Sequence, residues 1–512
     1  MAIELRPLDV IALTTYLLGM LAVGLYFSRR NTSTEEYFVG SRSFPGWAIG
    51  LSMLGTSISS VTFLAFPAAA YKLDWRQFVS NLMLPAVAVL AVIVFIPFFR
   101  RGQLTSAFEY LGHRFGPVAR LYGTISFIVL QLIRLATVLL LMSIPVSLLS
   151  GLRIEYVIVI AGIFIAFYTI AGGIEAVIWT DVVQAIVLWA GGAVCLGYIV
   201  WHLPGGFSDV IDIGNAHDKF HVGAMEWNIG ERTFWTVALL GVFHYLGMYS
   251  SDQNFIQRYV ATKSLREARK ATALYSLLAV PTWGFFFLVG TSMFTYYQTF
   301  PDAVVDTLDA DQVFPYFILT RIPAGIAGIV IAGVLAAAMS SLDSSLNAIA
   351  TIVTVDIMKP YLAPGRSDRF YLRAAHVIAT GAAVLMIAGA IGFQHVEKES
   401  MNDLTWIMAS VFGGCLVGLF LLGFFTTRVD NRAVLVALVG SLGFNVYLGA
   451  VSARWLPEMG SFHVHDYWIG VLVNLLFVVL AYGSSFLFGP PKQDLRGLTV
   501  WTMEKNSGGA AD

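Results

Sequence analysis

Thirteen apolar runs, each long enough to cross roughly 30 Å of hydrocarbon at about 1.5 Å per helical residue, follow one another along the 512-residue chain. Their centres lie near Met20, Gly55, Val89, Arg134, Gly162, Val187, Leu246, Phe286, Met339, Val384, Phe412, Gly440 and Leu475. With 57% hydrophobic and only 12% charged residues, and a mean hydropathy of +0.74, the composition lies outside the range of soluble domains. The expected fold class is an all-α membrane protein of about 13 transmembrane helices. The first run, Val10 to Phe27, is too long for a typical signal-peptide core and leads into Arg29 and Arg30 without a small-residue cleavage site, so it is read as a retained helix.

Charge placement orients these runs, because loops on the cytoplasmic side are enriched in Lys and Arg. If the N-terminus is outside, the inward loops and the tail carry most of the basic residues, among them Arg100, Arg114, Arg120, Arg258, Lys263, Arg269, Lys359, Arg373, Arg428 and Lys505. The expectation is a multi-pass protein of the cell (inner) membrane with a cytoplasmic C-terminus. The overall balance, 31 Lys and Arg against 32 Asp and Glu, argues against nucleic acid as a partner, since phosphate binding needs a basic surface. Cys195 and Cys415 both lie in apolar runs and suggest neither a disulfide framework nor a thiolate metal site. No HExxH, GxSxG or P-loop pattern stands in a catalytic context, so an enzyme is not expected. His244 and His376, the two histidines within runs, read as core residues.

Two knots of hydroxyls interrupt this apolar background: Gly55-Thr-Ser-Ile-Ser-Ser-Val-Thr62 and Ser340-Ser-Leu-Asp-Ser-Ser345. Lipid offers polar groups no partners, so such clusters at membrane depth face protein, water or a ligand. The run near Leu246 is interrupted in a similar way, by Gly247 and Tyr249-Ser-Ser-Asp252, and paired discontinuous helices point to a midplane binding site between repeats. At 100° per residue, Asp343, Asn347, Ser340, Ser344, Ser341 and Ser345 cover a continuous arc of roughly 200°. Oxygen ligands without thiolate or imidazole suit a hard cation, here a small alkali ion. Serines that merely permit close helix packing are the competing reading; a carboxylate at that depth speaks against it.

Asp181, with Gln184 on the same face, needs a cation or Arg134 as its partner, or else acts as a helix-start carboxylate. Arg134 is the one basic residue placed in mid-run, and its planar fork suits a substrate carboxylate; a structural pair with Asp181 or Asp343 is the alternative. Gln77 and Asn81 are candidates for ligand hydroxyls.

The stretches Thr169-Ile-Ala-Gly-Gly-Ile-Glu-Ala-Val-Ile-Trp-Thr-Asp-Val-Val-Gln184, Asp252-Gln-Asn-Phe-Ile-Gln-Arg-Tyr259 and Met339-Ser-Ser-Leu-Asp-Ser-Ser-Leu-Asn347 resemble signatures of the sodium/solute symporter family, whose members include carriers of sugars, proline, monocarboxylates and sialic acid. The resemblance covers nearly the whole chain. It implies a LeuT-type 5+5 inverted repeat with one extra N-terminal and two extra C-terminal helices. The corresponding division is 1–45 (extra helix and loop), 46–205 (first repeat), 206–232 (outer loop), 233–428 (second repeat), 429–489 (two further helices) and 490–512 (tail). It also implies a common sodium site at Gly55, Ile58, Ala337, Ser340 and Ser341, and a second at Asp181, Ser340, Asp343 and Ser344. Asp343 stands where the sialic acid carriers are expected to have serine; the extra carboxylate either strengthens that site or makes it protonatable. Ser57, Ser59, Thr62, Asn81 and Arg134 resemble the pattern that holds sialic acid, with Asn81 in place of glutamine and Gln77 in place of an aromatic residue.

The expectation is therefore a symporter that couples two sodium ions to a small organic anion, sialic acid or a related sugar acid, by alternating access. A neutral sugar, polyol or monocarboxylate is the alternative cargo. A membrane ligand sensor is disfavoured because the tail leaves no room for a signalling domain, and a channel by Arg134 and the broken helices.

Overall fold

A computed structural model describes residues 6–28, 33–101, 104–228, 230–395, 408, 411–452, 465–489, 491 and 493–502; Arg29, Arg30 and Lys505 lie outside them. The described residues are helical, with a single isolated bridge between Phe44 and Thr262 and no strand. We label the membrane helices α1 (Pro7–Ser28), α2 (Gly46–Ser57), α3 (Val61–Lys72), α4 (Arg76–Arg100), α5 (Pro117–Ser150), α6 (Ile154–Ile170), α7 (Gly173–His202), α8 (Phe234–Ser251), α9 (Gln253–Ala261), α10 (Leu265–Thr299), α11 (Ile326–Leu362), α12 (Asp368–Phe393), α13 (Leu416–Phe425), α14 (Asn431–Ser452) and α15 (Trp468–Phe488). Among the described residues, eight helices are long and apolar enough to cross a membrane and α2 with α3 makes a ninth span. Length and composition alone thus reach nine of the thirteen expected runs. Those near Met20, Gly162 and Phe412 match shorter apolar helices, and the one near Leu246 is α8.

Two discontinuities shape the centre of the bundle. The axis bends by 59° between α2 and α3, where Ile58 takes extended backbone angles (φ −88°, ψ 116°). Asp252, between α8 and α9, adopts nearly the same angles (φ −82°, ψ 115°). Each break leaves carbonyls without intrahelical partners at membrane depth, a cost that other groups must offset. A third interruption, at Gly173 (φ 60°, ψ −169°), separates α6 from α7 within one continuous helical stretch.

Helix α11 is the axle of the fold. Of its most apolar window, 89% is buried inside the protein, against 22% for α14, which faces outward. Small residues permit this enclosure: a Cβ on Gly333 would meet the Val187 carbonyl at 3.3 Å, so α7 and α11 lie backbone to backbone. The N-terminal end of α11 is fastened by α1. Buried Asp9 accepts the Gly325 and Gly328 amides at 2.6 and 2.7 Å through Oδ1, capping a helix start whose donors would otherwise be orphaned. Arg6 pairs with Asp9 at 2.8 Å and donates to the Leu319 and Ile322 carbonyls. At the opposite end of α11, Asp356 binds Arg120 at 2.8 Å and accepts a short hydrogen bond from Ser106.

Candidate functional site

The oxygens freed by the α2–α3 break converge on α11. Ser340 Oγ lies 2.8 Å from the Gly55 carbonyl, 3.1 Å from that of Ala337 and 3.5 Å from that of Ile58. Four of the five groups expected at the common sodium site therefore gather around one hydroxyl. The fifth, Ser341, turns its Oγ to the Thr56 carbonyl at 3.0 Å, which also accepts Arg134 Nη2 at 2.7 Å. All of these groups offer oxygen and all are buried, a set that fits a dehydrated alkali cation better than a transition metal.

One turn further along α11 is an acidic centre. Asp181 on α7 and Asp343 on α11 are both fully buried. Asp181 Oδ2 accepts Ser52 Oγ at 2.6 Å, Thr56 Oγ1 at 3.3 Å and Arg258 Nη2 at 2.8 Å. Its Oδ1 is buried and has no hydrogen-bond partner among the described residues. Asp343 accepts Tyr168 Oη at 3.1 Å and the Ser344 amide at 2.6 Å. Thr56 Oγ1 and Ser344 Oγ, 3.1 Å apart, bridge the two carboxylates. Helix α2 can approach this closely because residue 55 is glycine: a Cβ there would stand 3.1 Å from both Cβ and the carbonyl oxygen of Asp181.

This geometry corrects two readings of the sequence. Asp181 is not a helix-start carboxylate: it lies well inside α7 (Gly173–His202) and its three donors come from α2 and α9. Its arginine is Arg258, not Arg134. Arg258 was counted with the inward loops on charge alone, yet it is 1% exposed and donates to Ser52, Asn254, Asp181 and Ser344. The signal was its distance from Asp252: six residues past the break is under two helical turns, still at membrane depth. Ser52 and Tyr168 were also missed, because single hydroxyls in apolar helices read as packing, and Thr56, within the first hydroxyl knot, was given no partner. The polar arc of α11 divides in function: Ser345 bonds Gln131 at 2.8 Å and Asn347 bonds Gln257 at 2.9 Å, knitting α11 to α5 and α9.

A cavity of about 320 Å³ opens beside the break, lined by Ser57, Ser59, Thr62, Asn81 and Arg134 of the expected substrate set, together with His244 and Asp252. Gln77 is buried outside this lining, and His244 is a cavity residue instead of a core one. Asn81 Oδ1 accepts Tyr245 Oη at 2.8 Å, which orients its amide. Apart from the bond to the Thr56 carbonyl, the Arg134 guanidinium has no hydrogen bond or ion pair with a described residue, so the rest of its fork is available to the cavity. One carbonyl, Thr56, thus joins the cavity-lining Arg134 to Ser341 of the expected sodium set.

Two broken helices, a buried cluster of oxygens and an adjoining, largely apolar cavity with a few polar groups define a membrane carrier. The sodium:solute symporter family model matches residues 37–441. The chain is 31% identical over 484 residues to the sodium/sialic acid symporter NanT of Aliivibrio fischeri, covering 94% of this chain and 93% of that one. It is equally similar to the sodium/sialic acid symporter SiaT of Proteus mirabilis, at 31% over 93% of this chain and 95% of that protein. A solved substrate-bound, outward-open Na+-coupled sialic acid symporter superposes with a TM-score of 0.86, 30% identity and coverage of 95% of this chain and 99% of that one. The chain belongs to the sodium:solute symporter family. Its fold is LeuT-type and its activity is sodium-coupled symport.

Proposed function

We propose that the chain imports a small organic anion, sialic acid or a related sugar acid, together with two sodium ions by alternating access. The observation that carries the cargo assignment is the fork of Arg134 turned to a cavity of about 320 Å³ whose other expected contacts are hydroxyls and an amide. A guanidinium and a carboxylate form two parallel charge-assisted hydrogen bonds, while Ser57, Ser59, Thr62 and Asn81 suit ring and glycerol hydroxyls. The relatives named above, both sialic acid symporters, support the same cargo.

One sodium sits at Gly55, Ile58, Ala337, Ser340 and Ser341, and the second at Asp181, Ser340, Asp343 and Ser344. Sodium in the first site draws α2 and α11 together and so fixes Ser57, Ser59 and Thr62 for the ligand. Each ligand must then raise the affinity of the other by the same factor. A second sodium makes the cycle electrogenic, adding roughly 2.3 kcal/mol per 100 mV of membrane potential. The N-terminus lies outside and the C-terminus in the cytoplasm. The two five-helix repeats, 46–205 and 233–428, move against each other around the sites.

Asp252 in the same cavity favours a hydroxyl-rich cargo over a plain monocarboxylate, and a neutral sugar or polyol is the second reading. Proteoliposomes decide between them. Labelled N-acetylneuraminic acid should accumulate only with an inward sodium gradient, with a sodium Hill coefficient above one and faster under an inside-negative potential. Uptake indifferent to sodium refutes the coupling; uptake of neutral sugars in preference to the acid refutes the cargo.

A further inference from the structure

Helices α4 and α8 touch backbone to backbone where residue 241 is glycine: a Cβ there would stand 2.7 Å from the Ser80 Cα. One turn nearer the break, on the same face of α8, Tyr245 donates its Oη to Asn81 Oδ1 at 2.8 Å. Both side chains line the cavity, and both are buried, Asn81 at 4% exposure and Tyr245 at 2%. The phenol ring is held from two sides, stacked on Trp283 of α10 at 6.0 Å and met edge-on by His244 at 5.0 Å.

Chemistry fixes the direction of this bond. Tyr245 Oη makes no other hydrogen bond with a described residue, and a buried phenol proton without an acceptor is costly. Were the Asn81 amide turned round, its NH2 would meet Oη and leave that proton with no acceptor among the described residues. The amide oxygen therefore faces Tyr245, and Nδ2 with its two donors faces away. Nδ2 makes no hydrogen bond with a described residue, which leaves both donors to the cavity. The packing of two helices thus decides which end of one amide the cargo meets.

Resting on the sugar-acid cargo of the proposed function, we infer that Tyr245 is a positioning residue that sets specificity: by holding the Asn81 oxygen it makes that amide a pure donor, so the cargo presents an N-acyl carbonyl there and the same sugar acid with a free amine is rejected. A hydroxyl has no need of such a lock, because it can donate to one end of an amide or accept from the other. A carbonyl can only accept and an ammonium can only donate. A fixed amide separates these two, since a donor facing a donor leaves both without a hydrogen bond. Arg134 and Asp252 in the same cavity also act on an ammonium, but a change at residue 245 leaves both in place, so their effect drops out of a comparison between wild type and variant.

The test is competition against uptake of labelled N-acetylneuraminic acid into proteoliposomes of the full-length chain at saturating sodium. The unlabelled competitors are 2-deoxy-N-acetylneuraminic acid and its N-deacetylated amine, which differ only in the acyl group; without the anomeric hydroxyl the ring cannot open and the amine is stable. For wild type the amine should need a half-inhibiting concentration at least about tenfold above that of the N-acyl form. Tyr245→Phe keeps the ring but frees the amide to turn, and should cut that ratio by about tenfold; a merely structural role would raise both concentrations together and leave the ratio alone. Asn81→Asp places an acceptor towards the cavity and should invert the preference, which serves as the test should Tyr245→Phe fail to fold. A ratio in Tyr245→Phe within threefold of wild type overturns the inference, as does an Asn81→Asp that keeps the wild-type preference or a wild type inhibited no better by the N-acyl form than by the amine. Wild type that takes up no labelled N-acetylneuraminic acid instead removes the cargo reading, and this inference with it.

Discussion

Removing the guanidinium of Arg134 tests the cargo assignment most directly. Its Nη2 is engaged with the Thr56 carbonyl at 2.7 Å, which leaves one edge of the fork to meet a carboxylate in the cavity. Two charge-assisted hydrogen bonds there contribute about 1.5–3 kcal/mol each before the cost of desolvating both ions. Taking about 3 kcal/mol as the net, Arg134→Ala should raise the KM for sialic acid by about 150-fold. Arg134→Lys keeps the charge but not the fork, and should fall between, about tenfold above wild type. The assay is initial-rate uptake into proteoliposomes at saturating sodium, repeated with the carboxamide of the same sugar. Wild type should discriminate between acid and amide by nearly the factor that Arg134→Ala loses, and the variant should scarcely discriminate at all. A KM for the acid within threefold of wild type in Arg134→Ala would refute the reasoning and leave Arg134 as a clamp on the broken helix.

Other outcomes follow from the same geometry. Ser340→Ala removes the hydroxyl on which three carbonyls converge; half-saturation by sodium should rise on the order of ten- to a hundredfold, whereas a change under threefold takes Ser340 out of the site. Gly55→Ala drives a methyl to 3.1 Å from Asp181, an overpacking of about 1–3 kcal/mol that should lower the melting temperature and blunt its response to sodium; unchanged melting in both conditions contradicts the close approach. Lys219, in the loop before α8, donates to the Tyr71 and Leu73 carbonyls at 2.6 and 3.0 Å, and burial pulls its ammonium down to about 8, against the pull of Asp74. Because the unfolded chain keeps that proton up to about 10.5, folding releases it between the two values, and stability from this group rises with pH across that window. The melting temperature of wild type relative to Lys219→Met should climb between pH 8 and 10; parallel curves would show that Lys219 does not titrate there.

Much of the architecture was legible because the hydrocarbon background is so uniform. Against it, the hydroxyls after Gly55 and along Ser340–Ser345 marked where two helices meet, and four of the five expected groups of the first cation site do converge. What a linear reading could not supply was depth. Arg258 looked like one more cation in an inward loop, because the short helix Gln253–Ala261 that returns it to the core has little hydropathy of its own. Arg134 was rightly placed facing inward, but its partner is a backbone carbonyl that exists as an acceptor only because α2 ends there. Likewise Gln77 lies next to the candidate pattern in sequence but outside the cavity in space, since the backbone at Arg76–Phe78 is a tight turn of 3₁₀ helix and not a continuous α-helical face.

The clamp formed by Asp9 and Arg6 at the start of α11 limits how this helix can travel. A rod staked at one end cannot slide along its axis; it can only tilt or rotate about the stake. Small displacements where cargo binds are then magnified towards the far tip, where Asp356 is latched to Arg120 and Ser106. Opening on that side amounts to releasing the latch at the end of the longest lever arm. Helix α1, which carries Asp9, would thereby serve as the hinge post against which the gate swings.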